Sequence, residues 1–380
     1  MKAFLRFFKG ETVFCVSLFL AVLSSFAVRP DAAYLAYPDY RTLALLFSLM
    51  IIVAGFRSLG VFDFLGQSLL KRAGSLRRLS VTMVLLCFGC SMVITNDVTL
   101  ITFVPFTILV FRMIGEEERV LKVVVLETIA ANLGSMATPI GNPQNLYLYS
   151  AFFMTFGQFA WAVLPYAALS LALLLAVLLK DQDRRLVKTA AAGDKAMDWA
   201  GLKVPFFVYC LLLALCLLVV FRILPYGPVL ICVAAVMYLV NRRLFGAVDY
   251  FLLLTFVCFF IFIGNVKRIP EISGLLSSLV EERELWAGIL ASQVISNVPA
   301  AILLAGFTEN APALLTGVNL GGLGTLIASL ASLISFKLFS RDYPWRKGAF
   351  MKTFTLWNLI FLAVLAAAAV LLSAAVPTGA

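Results

Sequence analysis

The chain has 380 residues, of which 62% are hydrophobic and 13% charged, with a mean hydropathy of +1.01. A water-soluble domain carries roughly twice that charged fraction, so a soluble globular domain is excluded. The net charge of +10 invites a nucleic-acid reading, but the basic residues sort by side of a membrane instead of gathering into one patch.

Apolar runs recur from end to end, among them Glu11–Val28, Ala167–Leu179, Val204–Val220 and Phe350–Ala375. The long ones approach the ~20 residues that cross a bilayer, and the expected fold is an all-α polytopic membrane protein. The first run follows basic Met1–Gly10, and Ser25-Phe26-Ala27 has a small-x-small pattern, as signal peptides do. Bulky Phe14 and Phe19 and the length of the run favour a retained first span. A second span follows Asp39-Tyr40, where the aspartate reads as a helix N-cap.

Two apolar segments, 79–95 and 98–114, flank Asn96-Asp97 and read as a re-entrant hairpin, 79–114, with its tip at membrane depth. A crossing helix over 119–155 carries Gly141-Asn142-Pro143-Gln144-Asn145 in its middle. Such a polar turn in lipid strands backbone groups at several kcal/mol each, so it is expected to be the unwound centre of a broken helix lining a protected cavity. A span over 158–180 and a mixed-charge linker over 181–203 follow. Spans over 204–221, 228–241 and 249–266 lead to a second, shorter hairpin over 285–308. A broken helix over 311–339 and a last span end the chain.

Loop charges orient these elements. With alternating spans, 24 of the 30 Lys and Arg residues fall on one side and 6 on the other: Arg29, Arg41, Arg222, Lys267, Arg268 and Arg283. The rich side is cytoplasmic by the positive-inside rule, which places the N-terminus inside and the C-terminus outside.

The two halves repeat. Asp39-Tyr40 answers Asp249-Tyr250, Thr95-Asn96 answers Ser296-Asn297, and Asn132 and Thr138 answer Asn319 and Thr325 in one register. Five crossings separate the hairpins, so the repeats, 1–180 and 204–380 around the linker, are inverted: about nine full spans plus two re-entrant hairpins and broken helices. Inverted repeats with broken helices near the midplane mark secondary transporters.

The expected substrate or ion site gathers Thr95, Asn96, Asp97, Asn132, Ser135, Thr138, Gly141, Asn142, Pro143 and Asn145 with Ser296, Asn297, Asn319 and Thr325. Half-helices starting at Val98 and Val298 would aim their amides inward, and hydroxyl and amide oxygens suit Na⁺ or an oxyanion. Asp97 is the leading candidate for H⁺ or Na⁺ coupling, because an acid at membrane depth is expensive; the alternative is a cap on the half-helix behind it. Glu127 is a second candidate, with a structural acid as its alternative.

Other chemistries lack their residues. The chain has no histidine, which removes the common metal ligand and every Ser-His or Cys-His pair. The seven cysteines fall in apolar segments and show no disulfide framework; Cys87-x-x-Cys90 reads as packing. No G-x4-G-K-[ST] motif is present. Neither an enzyme nor a cofactor is expected, no metal beyond Na⁺, and no nucleic-acid partner.

The stretches TNDVTLITFVP, ANLGSMATPIGNPQNLYLY and SNVPAAILL resemble the ion transporter superfamily. The resemblance covers roughly 40–370 and points to its citrate-transporter-like branch, with arsenite efflux pumps, NhaD-type sodium/proton antiporters, the melanosomal P protein and YbiR-type bacterial inner membrane proteins. It implies a homodimer in the bacterial inner membrane, elevator motion, and an anion or small oxyacid moved with H⁺ or Na⁺. Sodium/proton exchange or arsenite efflux is the alternative, with an intramembrane enzyme or a channel more remote. Thr95-Asn96 and Ser296-Asn297 take the places of the family's paired Ser-Asn-Thr motifs, but the third positions are Asp97 and Val298. A fixed carboxylate 4 Å from a dicarboxylate would cost about 4 kcal/mol at an effective dielectric of 20, which argues against the sodium-dicarboxylate route.

Overall fold

The computed structural model describes residues 11–62, 64, 74–180 and 199–375. Basic 1–10 and most of the expected linker, 181–198, lie outside the described residues. Sixteen α-helices account for the described chain. Eight are long and apolar enough to cross a membrane, and both arms of the first hairpin are among them. The all-α polytopic fold is as expected.

In chain order, α1 (Thr12–Ala27) and α2 (Tyr40–Ser58) precede the first hairpin, α3 (Leu76–Ile94) and α4 (Asn96–Met113). The first broken helix is α5 (Glu117–Ser135) and α6 (Pro143–Ala151), followed by α7 (Phe156–Leu179). Three helices follow: α8 (Trp199–Val220), which starts inside the expected linker, α9 (Tyr226–Asn241) and α10 (Tyr250–Lys267). An amphipathic α11 (Pro270–Val280) leads to the second hairpin, α12 (Glu284–Ile295) and α13 (Asn297–Leu304). The second broken helix is α14 (Ala311–Leu320) and α15 (Leu330–Asp342), and α16 (Lys347–Ala375) closes the chain.

Each hairpin turns on one residue. Thr95 has φ 70 and ψ 154, and Ser296 has φ 71 and ψ 154. Both lie in the left-handed region that β-branched and bulky residues avoid. The two tips therefore share one backbone conformation. Helix resumes at once, so the half-helices start at Asn96 and Asn297 and not at Val98 and Val298.

The expected shortness holds for the second hairpin and not for the first. At 1.5 Å per residue, the 12 and 8 residues of α12 and α13 reach only about 18 and 12 Å, whereas the 19 and 18 of α3 and α4 reach about 27 to 28 Å. Both ends of the first hairpin pack against the first broken helix. Arg77 and Ser80 at its start share a surface cavity with Arg119 and Lys122 at the start of α5. At its other end the Thr138 hydroxyl, in the break between α5 and α6, donates to the Met92 carbonyl. The 9 residues of α6, roughly 13 Å long, follow this break.

Glycine makes the close hairpin packing possible. A Cβ on Gly134 would lie 2.6 Å from Ser91 Oγ and nearer still to the Phe88 carbonyl oxygen. A Cβ on Gly321 would lie 2.7 Å from Ser292 Oγ and 2.9 Å from the Gly288 carbonyl oxygen. Both hairpins thus make the same Ser–Gly contact with the broken helix beside them. Gly134→Ala is expected to destabilise by about 1–3 kcal/mol through overpacking, read as a fall in melting temperature of the purified protein; an unchanged value would mean the hairpin can shift without cost.

The helices divide into two packed groups. An outer group joins α2 to α8 and α9, and α1 to α10; an inner group holds both hairpins, both broken helices, α7 and α16. The groups meet where α6 packs on α2 and α13 on α10. Polar ties hold helix ends at two levels. At one, Arg222 donates to the carbonyls of Tyr149 and Phe153 at 3.0 and 2.9 Å, and Arg268 pairs with Asp31 at 2.8 Å. At the other, Arg112 meets Asp342 at 3.3 Å. Arg268 holds the Asp31 carboxyl below its ordinary value of 3.8. That tie is therefore present at neutral pH and is lost only as the pH falls below 3.8 through the lowered value.

Candidate transport site

The polar residues of the two breaks meet in one hydrogen-bonded network between α5, α6, α14 and α15. Asn132, near the end of α5, accepts at Oδ1 from Asn96 at 3.0 Å and from Ser329 at 2.9 Å, and donates to Ser332 at 3.1 Å. Asn319, near the end of α14, donates to Asn145 at 2.7 Å and accepts from Asn142 at 3.1 Å. Each asparagine therefore spans to the start of the other repeat's second half-helix. Ser329 and Ser332 follow Asn319 at the same spacing as Asn142 and Asn145 follow Asn132, so the two braces match in sequence spacing.

Asn142 caps α6, accepting from the Asn145 amide at 2.9 Å, and Pro143 fills the first helical position, where its missing N–H costs nothing. The Asn145 side chain donates to the carbonyls of Met136 and Thr138 at 3.2 and 3.0 Å. Ser135 donates to the Asn132 carbonyl and accepts from Asn142. A Cβ on Gly141 would run into the Ser135 carbonyl oxygen and lie 2.8 Å from the carbonyl carbon. The polar turn is therefore a self-satisfied unwound segment in which buried donors and carbonyls find partners.

Four of the expected site residues line a cavity of about 570 Å³: Thr95, Asp97, Asn142 and Pro143. It lies between the first hairpin tip and α6 on one side and α2 with the start of α10 on the other. Its walls are mainly aliphatic, and its charged residues are Asp97, Arg57 and Asp249. Asp249 caps α10 by accepting from the Leu252 amide at 2.9 Å, as Asp39 caps α2, and the same residue also faces the cavity.

Asp97 is half-buried, and its carboxylate makes no hydrogen bond or ion pair among the described residues. It lies in the first turn of α4 without capping it; the Asp97 amide is instead taken by Asn96 Oδ1 at 3.0 Å. The N-cap residues of α4 and α13, Thr95 and Ser296, make no side-chain cap bond. An acid aimed into a cavity beside uncapped helix amides can hold a proton or a cation while those amides meet an oxygen of a solute.

The remaining residues sit elsewhere. Ser296 and Asn297 at the second tip bind the Ala328 carbonyl, the Asn297 amide at 3.0 Å. Thr325 is exposed and pairs with Gln293, which also donates to the Gly321 and Leu323 carbonyls at 2.9 and 3.0 Å. Glu127 is fully buried on α5; Thr107 donates to one of its oxygens, and the other has no partner among the described residues. Glu127→Ala is expected to cost about 2–4 kcal/mol from the lost bond and the cavity, while Glu127→Gln keeps the Thr107 bond and the melting temperature. Equal losses in both variants would count against this account.

Sequence reasoning missed Ser329, Ser332, Gln293, Arg57 and the cavity-facing role of Asp249. The first two were within reach, since the Asn132–Asn319 register, carried ten to thirteen residues on, pairs Asn142 and Asn145 with them.

The citrate transporter family matches residues 10–330. The chain is 33% identical over 361 residues to the inner membrane protein YbiR of Escherichia coli K12, covering 93% of this chain and 95% of that one. It is 32% identical over 331 residues to the uncharacterized transporter MJ0456 of Methanocaldococcus jannaschii, covering 87% and 89%. A shorter match, 32% over 136 residues, covers 34% of this chain and 16% of the human P protein. This multi-pass membrane protein therefore belongs to the citrate transporter family.

Proposed function

We propose that the protein is a secondary active transporter that couples the movement of a small solute, an anion or oxyacid, to H⁺ or Na⁺. The observation that carries the reading is Asp97: an unpartnered carboxylate at the tip of a re-entrant hairpin, facing a cavity that no other residue of the inner group supplies with charge. Asp97 takes the coupling ion, and the uncapped amides of α4 with Asn142 take the solute. Glu127 is the second coupling candidate, buried where Thr107 alone among the described residues bonds to it.

An elevator motion is supported by the division into groups. Both large cavities lie at the contact of the inner group with α2 and α10, one on each side of it. Sliding of the inner group would close one and open the other without breaking the network of the breaks. We place the Asp249 cavity on the cytoplasmic side from the loop charges, and we propose a homodimer built through the outer group. Sodium/proton exchange without an organic solute is the second reading, favoured by the lone acid of the inner group in that cavity.

The test is charge movement on a solid-supported membrane, with the purified chain in liposomes. Na⁺ jumps, pH jumps, dicarboxylates, citrate and arsenite form the panel, repeated with Asp97→Asn and Glu127→Gln. Cation-driven currents that survive Asp97→Asn would remove it from coupling. Loss only in Glu127→Gln would transfer the role to that residue.

A further inference from the structure

The second cavity, on the opposite face, plays no part in the site above. It encloses about 480 Å³ between α2, the loop before it, α10 and the end of α6. Its charges repeat those of the first cavity in inverted form. Asp39 and Asp249 cap α2 and α10, and Lys267 and Arg57 stand equally far along those helices from the aspartates. Two positions break the symmetry. Arg41 occupies the place that Phe251 holds on α10, and Asp97 the place that Val298 holds at the second hairpin. One cavity therefore carries Asp39, Arg41 and Lys267, an excess of one positive charge; the other carries Asp97, Asp249 and Arg57, an excess of one negative charge.

Unused donors converge on the positive cavity. Tyr147 and Ser150 lie about one turn apart on α6, line the cavity, and are each 8% exposed. Neither hydroxyl has a hydrogen-bond partner among the described residues. The Asp39 oxygens are taken by the Thr42 amide at 3.0 Å and hydroxyl at 2.6 Å. Arg41 gives one nitrogen to the Val219 carbonyl at 2.5 Å and keeps its other donors. The Tyr147 ring packs on Phe260 and Phe256 at 5.5 and 6.3 Å, and Phe260, Ile263 and Phe153 give the cavity an apolar wall.

We propose that this cavity binds a monovalent organic anion with an apolar body, a carboxylate on an aliphatic or aromatic group. The proposal rests on the transporter reading and adds to it an anion site separate from the α4 amides and Asn142. Arg41 and Lys267 balance one carboxylate, Tyr147 and Ser150 donate to its oxygens, and the aromatic wall holds the body. A tricarboxylate would leave two charges unbalanced, and a cation would meet the positive excess. Because α2 and α10 belong to the outer group and α6 to the inner, the solute held here touches both.

The test is isothermal titration of the purified full chain in detergent with benzoate, beside citrate, inorganic phosphate and tetramethylammonium. Benzoate is expected to bind more tightly than the other three. Its affinity should fall about tenfold in Lys267→Gln and Arg41→Gln and about threefold in Tyr147→Phe, and should be unchanged in Asp97→Asn. Arg41 also anchors α8, so Lys267→Gln is the variant that leaves helix packing alone. The proposal is overturned by absent benzoate binding, by tighter citrate binding, by unchanged affinity in Lys267→Gln and Tyr147→Phe, or by loss in Asp97→Asn alone. Benzoate binding that depends on Lys267, alongside cation currents indifferent to Asp97, would sink the coupling assignment and leave this site standing.

Discussion

Asn319→Ala is expected to lower the stability of the folded chain by roughly 2–5 kcal/mol, from the cost of stranding buried polar groups. The Asn319 side chain is 2% exposed and makes three bonds: to Asn145 Oδ1 at 2.7 Å, to the Leu315 carbonyl at 2.8 Å, and from Asn142 at 3.1 Å. Alanine leaves Asn145 Oδ1 with no donor. Asn142 still has Ser135, so its loss is smaller. The brace also joins the repeats, so the start of α6 would loosen at the edge of the Asp97 cavity. Asn297→Ala is the control: its side-chain amide makes no hydrogen bond among the described residues, and a change within about 1 kcal/mol is expected. Thermal unfolding of both variants decides the matter; equal losses would show that the brace contributes no more than an ordinary buried asparagine.

The second large effect is on coupling. Asp97→Asn should leave the fold intact, because its carboxylate holds no helix amide and no cation in place. It should abolish charge movement driven by Na⁺ or pH jumps. A carboxylate 4 Å from a monovalent cation at an effective dielectric of 20 contributes about 4 kcal/mol, roughly three powers of ten in affinity. Asp249→Asn sets the contrast. Asparagine caps a helix about as well as aspartate, and Asp249 sits on the outer group, so stability and coupling should change little. Currents lost in Asp249→Asn and kept in Asp97→Asn would reverse the assignment and put the coupling ion on the outer group.

The amino-acid sequence by itself determined the all-α polytopic fold and which segments are apolar and long enough to cross. Apolar length, cytoplasmic-type charge and the two Asn motifs placed the spans, both hairpins and the broken helices close to where they lie. Those features are local: a helix in lipid satisfies its own backbone, and a polar turn inside an apolar run announces its break. Helix starts were misplaced by two residues at Asn96 and by one at Asn297, because a single left-handed residue completes each turn. Only the tertiary structure decided which polar groups meet. Asn132 finds Ser329 and Ser332, and Asn319 finds Asn142 and Asn145, across separations that no spacing rule covers. Asp249 and Arg57 join the Asp97 cavity for the same reason. A helix apolar all round does not reveal which face it turns inward; that face is chosen by close packing against its neighbours, and packing depends on every helix at once.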